Sequence, residues 1–268
     1  MDRRSIYLRK LILDAYTSAR RGHLSPAFSL VEILRVLYDH ILKYDPKNPK
    51  WPLRDRCILS KGHGCLALYA ILADRGFFPK EELKRFCTLQ GMLGGHPEIK
   101  IPGVEASTGS LGHGLSIGVG IAISAKLKKE SWRVFVIVGD GECNEGSIWE
   151  AALIASKHLL SNLTVIVDYN KFQSYGPVSQ VSKLEPLKDK WKSFGFEVRD
   201  VDGHDIEALK KHLRDVPFVP DKPSALICHT VKGKGIEFVE NDPTWHHKSS
   251  LSGEVIEKLY QSLEKYDA

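Results

Sequence analysis

Two short apolar runs separated by a helical pattern constrain the fold of this chain more than any other feature. Residues 133–138 (RVFVIV) and 163–169 (LTVIVDY) have the β-branched composition of buried strands, and the segment SIWEAALIASKHLL between them has helical spacing. The unit predicts a strand, a helix and a parallel strand. Because successive parallel strands point the same way, residues that follow them gather at one edge of the sheet, where ligands bind.

Polar residues follow both predicted strands. Gly139-Asp140-Gly141 comes directly after the first strand, and Asn170 follows the second, thirty positions after Asp140. The glycines permit a tight turn and close backbone approach to a ligand. Carboxylate and amide oxygens are the ligands that Mg²⁺ or Ca²⁺ prefers. A Gly-Asp-Gly by itself is a common turn, but its position in this unit predicts a site for a divalent cation and a diphosphate.

The rest of the chain continues the alternation of strands and helices. Further β-type runs occupy residues 57–60, 196–202 and 224–231, and helical patterns occupy residues 6–19, 30–42 and 205–216. Between them, a Gly-rich loop becomes a helix near Leu115, and a loop of that length in a compact domain is usually functional. We expect an α/β fold with a mainly parallel central sheet covered by helices on both faces, as one domain over residues 1–268.

Composition excludes several classes of protein. The chain has 268 residues, 43% of them hydrophobic, and no apolar run approaches the roughly 18 residues of a membrane span. Arg9 and Lys10 interrupt any apolar core of a signal peptide, so we expect no membrane association and a cytoplasmic location. The net charge of +5 is dispersed, which argues against nucleic acid and suits anionic small molecules.

Histidines next to glycine recur along the chain. They are His23, His63, His96 and His113. Histidine shuttles protons near neutral pH and hydrogen-bonds sugar hydroxyls. Each one separately is more typical of a loop or core residue. Together with the Asp140 to Asn170 unit, however, they match a known family.

The chain resembles the N-terminal half of a transketolase over essentially its whole length. The matching segments are, in order, RRGHLS, DRCILSKGHG, LGGHPEIKIPGVEASTGSLGHG, VGDGECNEGSIWEA, VDYNKFQ, DGHD and VKGKGIEFVENDPTWHHK. The resemblance implies the thiamine-diphosphate-binding fold, a six-stranded, mainly parallel sheet between helices. It also implies thiamine diphosphate and Mg²⁺ as cofactors, with Ca²⁺ or Mn²⁺ able to replace Mg²⁺.

The resemblance also implies the residues that hold the metal and the diphosphate. Asp140 and Asn170 would ligate Mg²⁺ through their side chains, and Phe172 through its backbone carbonyl. Gly141 and His63 would contact the diphosphate, with Asn170 adjoining both groups.

The organic part of the cofactor and the substrate fall to other residues. The aminopyrimidine would meet backbone groups of one loop, formed by Gly109, Ser110 and Leu111. His246 would bind both the diphosphate side and the substrate, with Lys232 and Lys61 as nearby cations. His23 and His96 would face the sugar, hydrogen-bond its hydroxyls and assist proton transfer during carbon–carbon cleavage.

Two glutamates and the length of the chain bear on how the protein would combine with other subunits. Glu145 and Glu150 correspond to glutamates near the family's dimer interface, although acids in a first helical turn are also favoured by the helix dipole. In the family, a second domain supplies the glutamate that protonates the pyrimidine, and 268 residues leave no room for it. We therefore expect the N-terminal subunit of a split transketolase, which transfers a two-carbon ketol unit between sugars or sugar phosphates. It would be active only in a heterotetramer with a complementary, pyrimidine-binding subunit.

Other functions stay open from the sequence. An alpha-type chain of a 2-oxoacid dehydrogenase or a deoxyxylulose-phosphate synthase would also keep Gly-Asp-Gly and Asn, but KGHG, GGHPE and PTWHH favour ketol transfer. The segment FQSYG after Lys171 departs from the common pattern and keeps open a split enzyme for an unusual ketose. A non-catalytic, cofactor-binding interaction subunit is the alternative from another class.

Overall fold

A single parallel sheet organises the structure. A computed structural model describes residues 1–266. The strands are β1 (Arg56–Leu59), β2 (Val134–Gly139), β3 (Leu163–Tyr169), β4 (Glu197–Asp202) and β5 (Ser224–His229). They lie in the order β1-β2-β3-β5-β4, and every neighbouring pair is parallel. All five β-type runs of the sequence therefore form strands.

The number of strands corrects one expectation. The family resemblance implied six strands, whereas residues 1–266 form a sheet of five strands. The long segment at residues 86–112, between β1 and β2 in the chain, contains loops and turns and no strand. The fold class is unaffected, because the five strands are all parallel and α/β packing needs only that both faces be covered.

Helices connect the strands. They are α1 (Arg3–Ala19), α2 (Leu24–Phe28), α3 (Val31–Val36), α4 (Cys65–Asp74), α5 (His113–Lys128), α6 (Gly146–Lys157), α7 (Val178–Val181), α8 (Leu187–Ser193), α9 (Ile206–Arg214) and α10 (Gly253–Glu264). The helical pattern at residues 30–42 is shorter in α-helix than expected, because α3 passes into a π-helical turn at Leu37–Ile41.

Hydrophobic cores lie on both faces of the sheet. Along β2, Val134, Val136 and Val138 belong to one core with residues of α5 and α6, and Phe135 and Ile137 belong to the other with residues of α1 and α4. Successive side chains of a strand point to opposite faces, so a continuous apolar run feeds both layers. The expected covering of both faces is confirmed. No helix in residues 1–266 is long and apolar enough to cross a membrane.

Candidate active site

The ends of β2 and β3 bring the predicted metal ligands to one pocket. Gly139 pairs with Asp168 across the two strands, so the residues that follow, Asp140 and Asn170, meet at the same edge. Both side chains are buried and line a pocket of about 160 Å³ together with Gly141 and Phe172. The Asp140 carboxylate accepts hydrogen bonds from the backbone N–H groups of Gly141 and Lys171, at 2.7 and 2.5 Å.

Electrostatics distinguish Asp140 from an ordinary surface carboxylate. Burial, and then the neighbouring Asp168 carboxylate, raise the pKa of Asp140 to about 7. Asn170 Oδ1 accepts a hydrogen bond of 3.1 Å from the backbone N–H of Phe172. The two oxygen-bearing side chains are thus held in place by their own loops. A buried carboxylate and a carboxamide at one strand edge suit a hard cation.

Asp168 was not predicted as a site residue, but it binds Lys61, which lines the pocket. Its fully buried carboxylate pairs with the ammonium group of Lys61 and accepts hydrogen bonds from the hydroxyls of Ser29 (2.6 Å) and Thr230. Burial would raise the pKa of Asp168, but the Lys61 charge and these donors hold it below its usual value. A charged residue inside the otherwise apolar run LTVIVDY was the available signal.

Basic groups form part of the wall of the same pocket. Lys61, Lys232, His63 and His246 all face the same space as Asp140. Burial, and then the Lys61 charge, lower the pKa of Lys232 to about 8. Burial and the Lys232 charge lower the pKa of His246 to about 3, and burial with Lys61 lowers the pKa of His63 well below its usual value. The two imidazoles are therefore neutral at physiological pH, and the positive charge of this wall comes from the lysines.

His23 lies between two histidines of this pocket and two further histidines outside it. Its ring centroid lies 5.6 Å from that of His63 and 5.2 Å from that of His246. On its other side are His96, at 6.2 Å, and His247, at 4.6 Å. Burial, and then the nearby His247 and His96, lower the pKa of His23 to about 4. Histidines from distant parts of the sequence, among them His23, His96 and His246, thus lie in one cluster.

The loop predicted to meet the pyrimidine lies at the edge of the cluster. Leu111 lines the pocket, whereas Gly109 and Ser110 are not part of its lining. A Cβ atom added to Gly109 would lie 2.9 Å from the His96 ring, so this loop can pass the imidazole only because residue 109 is glycine. Likewise, a Cβ at Gly62 would lie 2.8 Å from the backbone of residues 108 and 109.

A buried glutamate, also missed from the sequence, joins the loops around the pocket. Glu142 accepts hydrogen bonds from Ser60 Oγ (2.5 Å) and from the backbone N–H groups of Gly112 (2.8 Å) and Gly139 (3.1 Å). Burial raises its pKa. The other two glutamates differ from it, because Glu145 is exposed and lines the pocket and Glu150 is exposed on α6 outside it.

Two buried polar atoms in the pocket lack a partner among residues 1–266. They are Nδ1 of His246 and Nε2 of Gln173. Both residues line the pocket that also contains Lys61 and Lys232. An unpaired buried polar group costs about 1–3 kcal/mol unless a partner satisfies it. A polar, anionic ligand such as a diphosphate fits these groups and the lysine charges.

Comparison with known proteins identifies the family. Residues 2–265 match the family described as the thiamine diphosphate binding domain of transketolase. A protein of Phocaeicola vulgatus named as a subunit of apulose-4-phosphate transketolase is 37% identical over 97% of this chain and 93% of its own length. The 6-deoxy-6-sulfo-D-fructose transketolase subunit SqwG of Clostridium sp. is 39% identical over 97% of this chain and 95% of its own length.

A solved structure agrees with this relationship. Transketolase from Campylobacter jejuni matches 97% of the chain with a TM-score of 0.91 and 34% sequence identity. The chain spans 42% of that protein, so it corresponds to less than half of a full-length transketolase. The chain therefore belongs to the transketolase family and carries that family's thiamine-diphosphate-binding domain.

Proposed function

We propose that this chain is the diphosphate-binding subunit of a two-chain transketolase, with residues 1–268 as one domain. The observation that carries the proposal is that two relatives of nearly the same length are named as transketolase subunits. The pocket supports it, because carboxylate, carboxamide, lysine and histidine groups converge at the carboxyl ends of parallel strands. The second half of the catalytic site would come from a pyrimidine-binding partner in a heterotetramer, in the cytoplasm.

In this proposal the metal is Mg²⁺, and the chain supplies three ligands. Asp140 and Asn170 contribute side-chain oxygens, and Phe172 contributes its backbone carbonyl. Among residues 1–266, no three His, Cys, Asp or Glu side chains are grouped as a complete metal site. The cation would therefore also depend on neutral oxygens and on the diphosphate itself, as is common for Mg²⁺.

The diphosphate would lie between the metal and the basic wall. Gly141 offers its backbone at the start of a 3₁₀ turn, and His63, His246 and Lys232 offer ring nitrogens and an ammonium group. Lys61 would contribute positive charge while it stays paired to Asp168. The 109–111 loop would present backbone groups to the aminopyrimidine.

When bound, thiamine diphosphate supplies the nucleophilic carbon that accepts and releases a two-carbon ketol unit. The chain's own residues then bind the sugar and move protons at its oxygen atoms. His23 and His96 would hydrogen-bond the sugar hydroxyls, and His246 would contact both substrate and diphosphate. Because burial lowers the pKa of His23 to about 4, its ring is neutral at pH 7 and keeps a nitrogen that can accept a hydrogen bond from a sugar hydroxyl.

The substrate class is a ketose donor and an aldose acceptor, with sugar phosphates as the first candidates. One relative is named for apulose-4-phosphate and another for 6-deoxy-6-sulfo-D-fructose, which supports an unusual ketose as the substrate. The unusual FQSYG segment adds to this, since Gln173 and Ser174 line the pocket.

The test is reconstitution with a candidate partner chain. Ketol transfer should require both chains, thiamine diphosphate and Mg²⁺, and should be measured against phosphorylated and unphosphorylated ketoses. Robust transfer by this chain without a partner would refute the split-site proposal. A complex that binds thiamine diphosphate but transfers no ketol unit from any ketose would instead favour a non-catalytic, cofactor-binding subunit.

A further inference from the structure

A second pocket lies on the other side of His23 from the cofactor pocket. It has a volume of about 380 Å³, and its lining includes Arg21, His23, Cys87, His96 and His247. None of the described residues that line it is an aspartate or a glutamate. The resemblance to transketolases implied a role for His23 and His96 but none for Arg21, Cys87 or His247.

A backbone pairing between distant segments builds one rim of this pocket. The N–H of Gly22 donates to the carbonyl of Lys248 at 2.9 Å, and the N–H of Lys248 donates back to the carbonyl of Gly22 at 3.2 Å. Arg21 and His247 therefore sit on adjoining backbone segments, one position from the pair. This arrangement fixes where their side chains leave the backbone.

The histidine cluster lies between the two pockets. The His23 ring is within 5.6 Å of His63 and His246, which line the cofactor pocket, and within 6.2 Å of His96 and His247, which line the second pocket. A substrate whose carbonyl reacts in the cofactor pocket and whose hydroxyls meet His23 and His96 would extend its far end into the second pocket.

The charge in the second pocket comes from Arg21. Arg21 is exposed, and its guanidinium makes no hydrogen bond or ion pair with any residue in the range 1–266. Burial raises the pKa of the Cys87 thiol, whereas the Arg21 charge lowers it, so the guanidinium acts inside this pocket. A free guanidinium is planar and can hold two oxygens of a phosphate or sulfonate at once.

We infer that this pocket binds the distal oxyanion of the sugar substrate, with Arg21 as its principal ligand and His247 beside it. The inference rests on the proposed ketol transfer and extends it. It places part of the recognition of the anionic end on this chain and makes Arg21 a specificity-determining residue.

The kinetic test uses the two-chain complex and the Arg21→Ala variant. The KM for a ketose phosphate should rise about ten- to hundredfold, the loss expected for a hydrogen-bonded charge contact. The KM for the same ketose without its phosphate, and kcat with either, should change little. Arg21→Lys should be intermediate, because it keeps the charge and loses the bidentate geometry. A ketose sulfonate tested beside the phosphate shows which oxyanion the pocket prefers.

A neighbouring arginine provides the matched control. Arg20 is also exposed, has a left-handed backbone (φ 53°) at the end of α1 and is not in the pocket lining. Arg20→Asn removes the same charge, and asparagine tolerates that backbone conformation. KM should be unaffected. Equal effects of Arg21→Ala on phosphorylated and unphosphorylated ketoses, or no effect on either, would overturn the inference.

A binding measurement separates this inference from the proposed function. Cys87 is exposed, and the other four cysteines are buried, so iodoacetamide should alkylate Cys87 selectively. Ribose 5-phosphate should slow that alkylation in a saturable way, whereas ribose should not, and the effect should disappear in Arg21→Ala. Each protein is compared with itself with and without sugar, because Arg21 also affects the reactivity of the thiol.

The outcomes of the two measurements are distinct. Phosphate-dependent protection in a complex without ketol transfer would refute the proposed function and leave an oxyanion site at Arg21. Absent protection, or equal protection in the wild-type protein and in Arg21→Ala, would refute the oxyanion site whatever the activity of the complex.

Discussion

Replacing Glu32 by glutamine tests the electrostatic reasoning at a buried site away from the cofactor pocket. Glu32 accepts hydrogen bonds from the Arg9 guanidinium at 2.6 and 3.0 Å, and the side chains are 4% and 0% exposed. His204 Nε2 accepts from the N–H of Val231 at 2.9 Å, so its Nδ1, 2.9 Å from Glu32, is the donor. Glutamine keeps the shape, loses the charge and points an N–H group at these donors.

The magnitude follows from burial. Removing one partner of a buried ion pair typically costs about 3–5 kcal/mol, because the other charge is left uncompensated. We expect Glu32→Gln to lose that much unfolding free energy at pH 7. At about 2–4 °C per kcal/mol, Tm should fall by roughly 6–20 °C.

The pH dependence has a defined sign. Burial would raise the pKa of Glu32, but the Arg9 charge and the hydrogen bonds from His204 and Arg9 outweigh it and hold the pKa well below its usual value of 4.5. The stabilisation is therefore complete above about pH 4.5 and is lost as pH falls towards the folded-state pKa. The difference in unfolding free energy between the wild-type protein and Glu32→Gln should therefore decrease by about 1.4 kcal/mol for each pH unit below pH 4.5.

Urea unfolding at pH 7, 4.5 and 3.5 measures this effect. The control is Glu207→Gln, which removes a glutamate paired with Lys210 on the exposed surface of α9 and should leave stability unchanged. If Glu32→Gln loses as little unfolding free energy as the control, or if its loss stays constant from pH 7 to pH 3.5, the buried ion pair is not the source of the stabilisation.

Three further predictions concern the site. Asp140→Asn should weaken Mg²⁺-dependent thiamine diphosphate binding by more than about a hundredfold in calorimetry. The control Asp202→Asn, at the end of β4 and outside the pocket, should not weaken it. Normal affinity in Asp140→Asn would overturn the metal assignment. His96→Ala should lower kcat by about 10²–10⁴-fold with cofactor affinity nearly unchanged, and a selective loss of cofactor would contradict its substrate-facing role. Glu142→Ala should destabilise the chain by about 1–3 kcal/mol in urea unfolding, because the N–H groups of Gly112 and Gly139 lose their buried acceptor; an unchanged midpoint would mean that water replaces the carboxylate.

Local patterns were sufficient to predict the five strands and half of the ten helices in residues 1–266, namely α1, α3, α5, α6 and α9. Continuous β-branched runs such as residues 163–169 can be satisfied only by a strand that is buried on both faces, and the structure has one there. The meeting of Asp140 with Asn170 also followed, because it needs only that two consecutive strands be parallel neighbours. These inferences depend on residues close in sequence.

Long-range pairings could not be predicted in the same way. No local pattern indicates that Lys61 pairs with Asp168, 107 positions later, or that Glu142 accepts from Gly112. The order of β4 and β5 in the sheet is likewise set by packing between distant segments. The second pocket was missed for the same reason, since Arg21 and His247 become neighbours only through the pairing of Gly22 with Lys248.

That pairing has a consequence for biosynthesis. The segment after α1 is synthesised before all five strands, and the segment at residues 246–248 that pairs with it is synthesised after them, so the histidine cluster can close only when β1 to β5 have all been made. Contacts of such large sequence separation form late and slowly. The sheet can therefore assemble during translation before the histidine cluster is complete.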